Sequence, residues 1–409
     1  MSPAIPLTEE NMTDSTMLAL DADFGYQRPR DVQRRFEDAA ESLRTSDGWL
    51  NPATGRQELR CDLVLEGCGV KASGLVGAVM ALSEAGYSIR AVAGTSAGAV
   101  TASIVAGLTQ AGQPIRNLLR LGLTIDFKKF MPNGKAHEIF DRATGRVGMM
   151  LADAALLTER TGIYSGDYLE TWLRPILEDE LGISSFSDLR LRADDDPDMS
   201  LASGRDYRLV VLTSDITRGR LARLPWDYPL YGHDPDVQDP VSAVRASMSI
   251  PFVFEPVHFE SRDTTVQVPG PGGVATTVHY GAGTNTWVDG ALLEKFPIHA
   301  FDRVDGRSPR WPTIGVKLSR LETEVPARPP CDSALAVALH CLRTAMNEWD
   351  ANALHERTAA RTIFVDNAGL ATTDFDVPKE RQYELFLNGV RAATEFVIAS
   401  AAVGGVPRT

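Results

Sequence analysis

The chain has 409 residues, 44% of them hydrophobic, and a formal net charge of −13 at pH 7. This acidic balance argues against nucleic acid as a partner and against constitutive adsorption to anionic lipid. We therefore expect only transient contact with membrane surfaces, made through a local apolar surface. The sequence contains no run of about 18 apolar residues, so no membrane span is predicted. Residues 1–10 lack the basic and apolar regions of a secretory signal.

The cysteines indicate the compartment. They show no CxxC or other metal-binding spacing and are interpreted as reduced thiols of a cytoplasmic protein that reaches membranes only peripherally. They are Cys61, Cys68, Cys331 and Cys341. No carboxylate cluster has the spacing of a calcium loop, so the sequence predicts no metal and no other cofactor. It predicts no particular oligomeric state.

The N-terminal part of the chain is predicted to be an extension over residues 1–60. Within it, residues 1–25 are expected to be disordered or loosely attached. A charged helix is predicted from about residue 30 to residue 46, with Pro29 marking its start. The length allows two or three domains, although one large α/β domain with additions explains it equally well.

A glycine-rich turn joins a predicted strand over 61–66 to an amphipathic helix over 75–82. The turn is made by Gly67, Cys68, Gly69, Val70, Lys71 and Ala72. Free N–H groups at such a helix N-terminus suit a phosphate or a developing oxyanion. The run formally fits a dinucleotide fingerprint, but no acidic residue follows the next strand as that site requires, and a P-loop needs Ser or Thr after its lysine. The oxyanion interpretation is favoured because it also explains the next turn.

That next strand-to-helix turn carries a serine between two glycines. It follows an apolar strand over 89–93, precedes a helix of small residues over 99–106, and reads Gly94-Thr95-Ser96-Ala97-Gly98. The flanking glycines permit a sharp turn without a Cβ clash, so the Ser96 hydroxyl would stand exposed at the edge of the sheet, as in a nucleophile elbow. The five-residue pattern by itself is equally consistent with a simple turn.

The region of about 125–200 shows a mostly helical pattern and is predicted to be lid-like. Its candidates for lipid contact are segments 127–132 and 149–151, although most of their apolar residues are expected to pack on the sheet instead. A strong helix is predicted to open at residue 162 and to close near Gly182.

Strands return at 207–213 and 220–224, the second as an edge strand. Asp215 is interpreted as a turn-forming aspartate rather than as an orienting carboxylate. A Thr-, Gly- and Pro-rich segment over about 260–286 predicts an inserted hairpin beside the site.

The next motif ends an apolar strand and reads Trp287-Val288-Asp289-Gly290-Ala291. A glycine-loosened turn at a strand end is a suitable place for a catalytic carboxylate at Asp289. On the dipeptide alone, an ordinary Asp-Gly turn is the simpler interpretation. No histidine lies in a motif resembling a triad base, and the nearest ones are interpreted as surface or loop residues: His233, His258, His279 and His299. A carboxylate can replace such a base if partial burial raises its pKa.

The remaining chain, residues 321–409, is predicted to pack on the core. Within it, a strand is expected over 362–366 and long helices over 332–358 and 379–402. Another strand is expected just before this part, over 313–317.

Taken in this order, the motifs resemble the patatin-like phospholipase family. The resemblance spans about residues 61–320 and links four segments: the glycine-rich turn, the Ser96 turn, a run over 245–254, and the Asp289 motif. It implies an α/β fold, a three-layer sandwich whose mostly parallel central sheet is flanked by helices, with residues 61–320 as the catalytic domain. It also implies hydrolysis of fatty-acyl esters of phospholipids or lysophospholipids.

The resemblance assigns roles to particular residues. It implies a Ser–Asp dyad, with Ser96 as the nucleophile and Asp289 as its base. It implies an oxyanion hole made by the backbone amides of Gly67, Cys68 and Gly69. An acyltransferase or thioesterase could use the same acyl-enzyme, with an alcohol or thiol in place of water.

Two positions depart from the family pattern. Cys68 stands where the family usually has a middle glycine, and Ala72 where the motif usually has its last one. Both residues are small, so the turn is expected to be usable, although the Cβ of Cys68 restricts its φ angle. A thiol at the head of a helix is also expected to have a lowered pKa and to be readily alkylated. These departures keep a third interpretation open, a binding or scaffold protein with a degenerate site.

Overall fold

A nine-stranded sheet forms the centre of the fold. The structure is a computed structural model, and it describes residues 27–51, 54–122, 124–130, 162–191, 205–269, 275–303, 309, 311–318, 337, 340–342, 344–346, 356–370 and 377–408. The described strands are β1 Trp49–Leu50, β2 Gln57–Leu65, β3 Tyr87–Thr95, β4 Gly162–Tyr164, β5 Leu209–Asp215, β6 Arg220–Leu224, β7 Phe252–Phe254, β8 Val257–Ser261, β9 Thr264–Pro269, β10 Ala275–Tyr280, β11 Gly283–Asp289, β12 Thr313–Lys317 and β13 Thr362–Phe364.

The strand order of this sheet is β13-β12-β2-β3-β5-β11-β8, with β1 added to β2 and β6 added to β5. The five strands from β13 to β5 are mutually parallel, whereas β6, β11 and β8 join antiparallel. Parallel neighbours require crossover connections, and helices provide them between β2, β3 and β5. The mostly parallel α/β sheet with flanking helices is therefore confirmed.

The described α-helices are α1 Arg30–Asp47, α2 Ala72–Glu84, α3 Ala97–Gln110, α4 Asn117–Gly122, α5 Asp167–Pro175, α6 Pro240–Ser247, α7 Glu356–Ala359 and α8 Lys379–Ala402. Short 3-10 turns occur at Gly69–Lys71, Phe127–Phe130, Phe186–Leu189, Tyr228–Tyr231, Pro235–Val237 and Gly290–Leu292, and a π-turn at Ile176–Glu180.

Side chains on the two faces of the sheet enter two separate apolar clusters. Because successive residues of a strand point to opposite faces, Leu63 and Leu65 pack with the helices, while Val64 packs on the other face. Among the described residues, that second face is covered by Phe296 and Ile298. Helices α1 to α6 and α8 contribute buried residues to the larger cluster.

Helix α2 packs against α8 with almost no side chain between them. A Cβ added to Gly77 would lie 2.1 Å from the Phe386 carbonyl oxygen, and one added to Gly389 would lie 2.1 Å from the Gly74 carbonyl oxygen. Of the described helices, α8 alone has the length and mean hydropathy of a membrane span. Its close seam with α2 makes it a core helix of this fold.

Most predicted elements are confirmed to within a few residues. The charged helix is α1, and the predicted hairpin contains β9 and β10, which pair with each other. The predicted start of the helix at residue 162 is wrong. Residues 162–164 form β4, which pairs with β7, and helix α5 starts only at Asp167. The reason is local, since a Cβ on Gly162 would lie 2.4 Å from the Glu255 nitrogen, so the glycine allows close strand pairing.

Several predictions fall outside the described residues. These include the loosely attached N-terminus, the lipid-contact candidate at 149–151, and most of the helix predicted over 332–358. Of the other candidate, segment 127–132, residues Phe127–Phe130 form a 3-10 turn in which Phe130 is buried.

The seam between α2 and α8 predicts that Gly389→Ala lowers the free energy of unfolding. Overpacking of this kind costs about 1–3 kcal/mol, which outweighs the gain of about 1 kcal/mol from replacing glycine within a helix. Urea unfolding followed by circular dichroism measures the change. Gly281→Ala is the control, because the nearest atom to its added Cβ is 3.9 Å away. If Gly389→Ala leaves the free energy of unfolding unchanged or raises it, the two helices do not pack as closely as described.

Candidate active site

The serine turn is held in a conformation that few residues other than glycine adopt. Ser96 follows β3 and precedes α3 with φ 54° and ψ −127°. A Cβ on Gly94 would lie 2.3 Å from the Gly98 carbonyl oxygen, and one on Gly98 would lie 2.4 Å from the Leu65 carbonyl oxygen. Both glycines are therefore needed for the close approach of chain segments. This strained strand-to-helix turn has the geometry of a nucleophile elbow.

Strand pairing brings Asp289 to this turn. Thr95, at the end of β3, pairs with Leu212, and Asp289, at the end of β11, pairs with Thr213. Strand β6 occupies the opposite edge of β5 along 211–215. Strands β3 and β11 therefore pair with the same edge of β5 and run towards each other along it. Their carboxyl-terminal residues, Thr95 and Asp289, pair with adjacent residues of β5.

The two predicted dyad residues are in direct contact. The Ser96 hydroxyl donates a hydrogen bond of 2.7 Å to Asp289 Oδ2, and Asp289 Oδ1 accepts one of 2.8 Å from the Ala291 N–H. Asp289 is completely buried, and burial raises its pKa to about 7, although these two hydrogen bonds oppose the rise. A carboxyl group with such a pKa can exchange protons near neutral pH.

The four histidines considered as alternative bases bond elsewhere. His233 contacts the Glu260 carbonyl oxygen, His258 contacts Thr286, His279 contacts Thr265, and His299 contacts Asp302 and Arg361. Among the described residues, no three His, Cys, Asp or Glu side chains form a candidate metal site.

The glycine-rich turn lies against the serine, but one of its predicted donors is occupied. A Cβ on Gly67 would lie 3.3 Å from the Ser96 Cβ. The Gly67 N–H, however, donates to the Lys295 carbonyl oxygen at 3.0 Å. The prediction that this amide contributes to the oxyanion hole is therefore wrong. The amides of Cys68 and Gly69 have no acceptor among the described residues.

Both departures from the family pattern fit the backbone. Cys68 has φ −130° and ψ 4°, Ala72 has helical angles of −56° and −26°, and the positive φ of the turn, 57°, falls at Gly69. Neither Cβ is therefore strained. Val70 and Lys71 are buried within the 3-10 turn.

The prediction of a reactive Cys68 thiol is wrong. The residue is 1% exposed, and burial raises its thiol pKa to about 12, against a smaller lowering by the neighbouring Lys71. Desolvation of the thiolate thus outweighs the favourable position at a helix N-terminus.

The remaining motif residues support the turn after Asp289. A Cβ on Gly290 would lie 2.3 Å from the Leu212 carbonyl oxygen, so this position requires glycine. Ala291 is buried and supplies the N–H that binds Asp289. Asp215 accepts backbone N–H groups from Thr217 and Arg218, as predicted for a turn-forming aspartate.

The last residue of α6 and the segment that follows it contact both Ser96 and Asp289, and no role was predicted for these residues individually. The Ser247 hydroxyl accepts the Ser96 N–H at 2.9 Å and donates to the Leu212 carbonyl oxygen at 2.5 Å. The Ser249 carbonyl oxygen accepts the Asp289 N–H at 2.8 Å. These contacts join residues 35 to 151 positions apart in the chain, and no local pattern marks them.

The buried Arg245 fixes that segment. Its guanidinium donates to the Ser249 hydroxyl at 2.5 Å, to the Glu255 carbonyl oxygen at 2.9 Å and to the Ser165 carbonyl oxygen. Met248, between the two serines, places its sulfur 3.6 Å from the Ser96 hydroxyl oxygen.

An apolar pocket opens beside the Ser96 turn. It borders Gly69, Ala97, which follows Ser96 in the chain, and Met248, whose sulfur contacts the Ser96 hydroxyl, and it continues between α2, α3 and α5. Its apolar walls include Val76, Val100, Ile104, Trp172, Ile250 and Phe254. Such a lining suits a hydrocarbon chain.

Comparison with known proteins agrees with this geometry. The patatin-like phospholipase family model matches residues 63–302. The chain belongs to this family. The family is one of lipid acyl hydrolases, and the protein is therefore an enzyme of that class.

Two individual proteins are similar to the chain. The uncharacterized protein YqhO of Bacillus subtilis (strain 168) is 29% identical over 336 residues, which cover 82% of this chain and 97% of YqhO. The crystal structure of VipD from Legionella pneumophila matches with a TM-score of 0.42 at 16% identity, over 84% of this chain and 67% of VipD.

The Ser247 contacts predict a positioning role. Ser247→Ala leaves the buried Ser96 N–H without an acceptor, so kcat for ester hydrolysis should fall about 10-fold while KM stays nearly unchanged. Steady-state kinetics on a soluble ester separates the two constants.

Ser103→Ala is the matched control, because the buried Ser103 hydroxyl binds, within the described part of the chain, only the Val100 carbonyl oxygen of α3. Equal kinetic effects of the two variants, or an effect of Ser247→Ala on KM alone, would contradict the positioning role.

Proposed function

We propose that the enzyme cleaves fatty-acyl esters of phospholipids or lysophospholipids through Ser96 and Asp289, with an acyl-enzyme intermediate. The observation that carries the proposal is the 2.7 Å hydrogen bond between the Ser96 hydroxyl and a buried carboxylate oxygen of Asp289. A nucleophile needs a base within this distance, and the raised pKa of Asp289 makes its carboxylate basic enough to act at neutral pH.

Acylation begins as Ser96 Oγ attacks the ester carbonyl carbon and Asp289 takes the hydroxyl proton. The carbonyl oxygen becomes an oxyanion, which the N–H groups of Cys68 and Gly69 can bind. Each such donor contributes about 3–4 kcal/mol of transition-state stabilisation in comparable hydrolases. When the tetrahedral intermediate collapses, the bond to the alcohol breaks and the leaving oxygen takes the proton from Asp289.

Deacylation repeats these steps with water. Asp289 removes a proton from the water molecule as its oxygen attacks the acyl carbon. Collapse of the second tetrahedral intermediate releases the fatty acid, and the proton returns from Asp289 to Ser96 Oγ. One carboxyl group thus serves as base and acid in both halves, which a pKa close to 7 favours.

The apolar pocket beside Ser96 supports a fatty-acyl substrate. Its walls can bury the chain of an ester whose carbonyl carbon lies at the hydroxyl. We propose that the protein is cytoplasmic and meets its lipid during transient contact with a membrane surface, because the net charge of −13 disfavours permanent adsorption to anionic lipid.

The proposal predicts that fatty-acid release depends on pH through Asp289. Below a pH of about 7 the carboxyl group is protonated and cannot accept the serine proton, so kcat/KM should rise as the pH increases through this value. Ser96→Ala should abolish release. Asp289→Asn should lower it about 100-fold or more and remove the pH dependence. Mass spectrometry of products from phospholipid vesicles measures free fatty acid and any transferred acyl chain.

Asp62→Asn is a matched control for this experiment. Asp62 is half-buried, and desolvation raises the pKa of its carboxyl group to about 7 as well, but it binds Trp311 and the Ala91 N–H, away from the serine. The variant should keep the wild-type pH profile. The dyad is wrong if Asp62→Asn loses the profile, or if Asp289→Asn keeps wild-type turnover. Transfer of the acyl chain to an alcohol or thiol, without free acid, would identify a transferase.

A further inference from the structure

A buried hydroxyl without a hydrogen-bond partner lies in the wall of the apolar pocket. Ser73, the second residue of α2, is 9% exposed and lines this pocket. Its hydroxyl oxygen is buried and has no partner among the described residues. Buried hydroxyls are nearly always hydrogen-bonded, because removing them from water without a partner costs free energy. An unpaired hydroxyl on a residue that lines a binding pocket is therefore a candidate contact for a polar atom of the ligand.

A second hydroxyl in the same pocket behaves in the ordinary way. Thr101 also lines the pocket, but its hydroxyl donates to the Ala97 carbonyl oxygen at 3.1 Å within α3. Gln382 lines the pocket as well, and its amide nitrogen donates to the Val377 carbonyl oxygen at 2.9 Å. The oxygen of that amide has no donor among the described residues, so it remains an acceptor for the ligand.

The position of Ser73 indicates which part of a substrate it would contact. Ser73 follows Gly69 by four residues, through the 3-10 turn Gly69–Lys71 and the start of α2, and both residues line the pocket. Gly69 supplies an amide proposed to bind the ester oxygen. An acyl chain that enters the pocket from an ester held at Gly69 therefore passes Ser73 near its ester end.

We infer that Ser73 binds an oxygen atom on the acyl chain close to the ester, and that the enzyme prefers esters of hydroxyacyl chains over unsubstituted ones. A substrate hydroxyl can accept a hydrogen bond from Ser73 and donate one to the Gln382 oxygen. An unsubstituted chain leaves the Ser73 hydroxyl unpaired in the complex, where water is excluded. This inference rests on the proposed hydrolysis at Ser96, and it adds the class of acyl chain.

The test compares two esters that differ by a single oxygen. The 4-nitrophenyl esters of decanoic acid and 3-hydroxydecanoic acid share their leaving group and chain length. In the wild type, kcat/KM should be about 3- to 10-fold higher for the hydroxy ester, the range of one hydrogen bond between neutral groups. Ser73→Ala should reduce this ratio to about one.

The control is Thr101→Val. It removes from the same pocket a hydroxyl that already has a hydrogen-bond partner, the Ala97 carbonyl oxygen. It should change both esters by the same factor and keep the wild-type ratio. Ser73→Ala should not lower the unfolding temperature, because the hydroxyl it removes makes no hydrogen bond to any residue that the structure describes. A lowered unfolding temperature together with an unchanged ratio would assign Ser73 a structural role and overturn the inference.

Two failures can be distinguished. If Ser96→Ala still hydrolyses these esters, the proposed function is wrong. If hydrolysis depends on Ser96 but the wild type shows no preference for the hydroxy ester, or Ser73→Ala keeps that preference, only the present inference is overturned.

Discussion

The hydrogen bond between Ser96 and Asp289 exists because β3 and β11 run towards each other along one edge of β5. Their last residues pair with Leu212 and Thr213, so both carboxyl ends arrive at one point of the sheet. The close fit continues beyond the pair: Gly290 lies against the Leu212 carbonyl oxygen, where no Cβ could be placed. Two residues separated by 193 positions are thereby held at hydrogen-bonding distance by strand pairing rather than by a flexible loop.

This arrangement is maintained at a cost in stability. The pKa of Asp289 is raised from 3.8 to about 7, so between these values the folded protein binds a proton that the unfolded chain has lost, and stability falls as the pH rises. Ser96 adds a strained backbone conformation. The segment held by Arg245 offsets part of this cost, since Ser247 and Ser249 satisfy the backbone N–H groups of both dyad residues. A destabilised but tightly supported site is common among enzymes.

The sequence predicted those features of the site that depend on a few neighbouring residues. The flanking glycines of Ser96 and the Asp289 turn could be recognised because a sharp turn restricts residue type at fixed positions. Features that depend on distant parts of the chain could not be predicted. The Gly67 amide is occupied by the Lys295 carbonyl oxygen, and Cys68 is buried so completely that its thiol pKa rises rather than falls. The contact of Ser247 with the nucleophile likewise requires the folded sheet.

The most direct test of the site is a crystal structure of the enzyme inhibited by a fluorophosphonate. We expect phosphorus bound to Ser96 Oγ, with Asp289 still adjacent. We expect the phosphoryl oxygen about 3 Å from the amide nitrogens of Cys68 and Gly69, and the Gly67 amide still bound to the Lys295 carbonyl oxygen. An unmodified Ser96, or a phosphoryl oxygen directed away from both amides, would show that this site is not assembled as described.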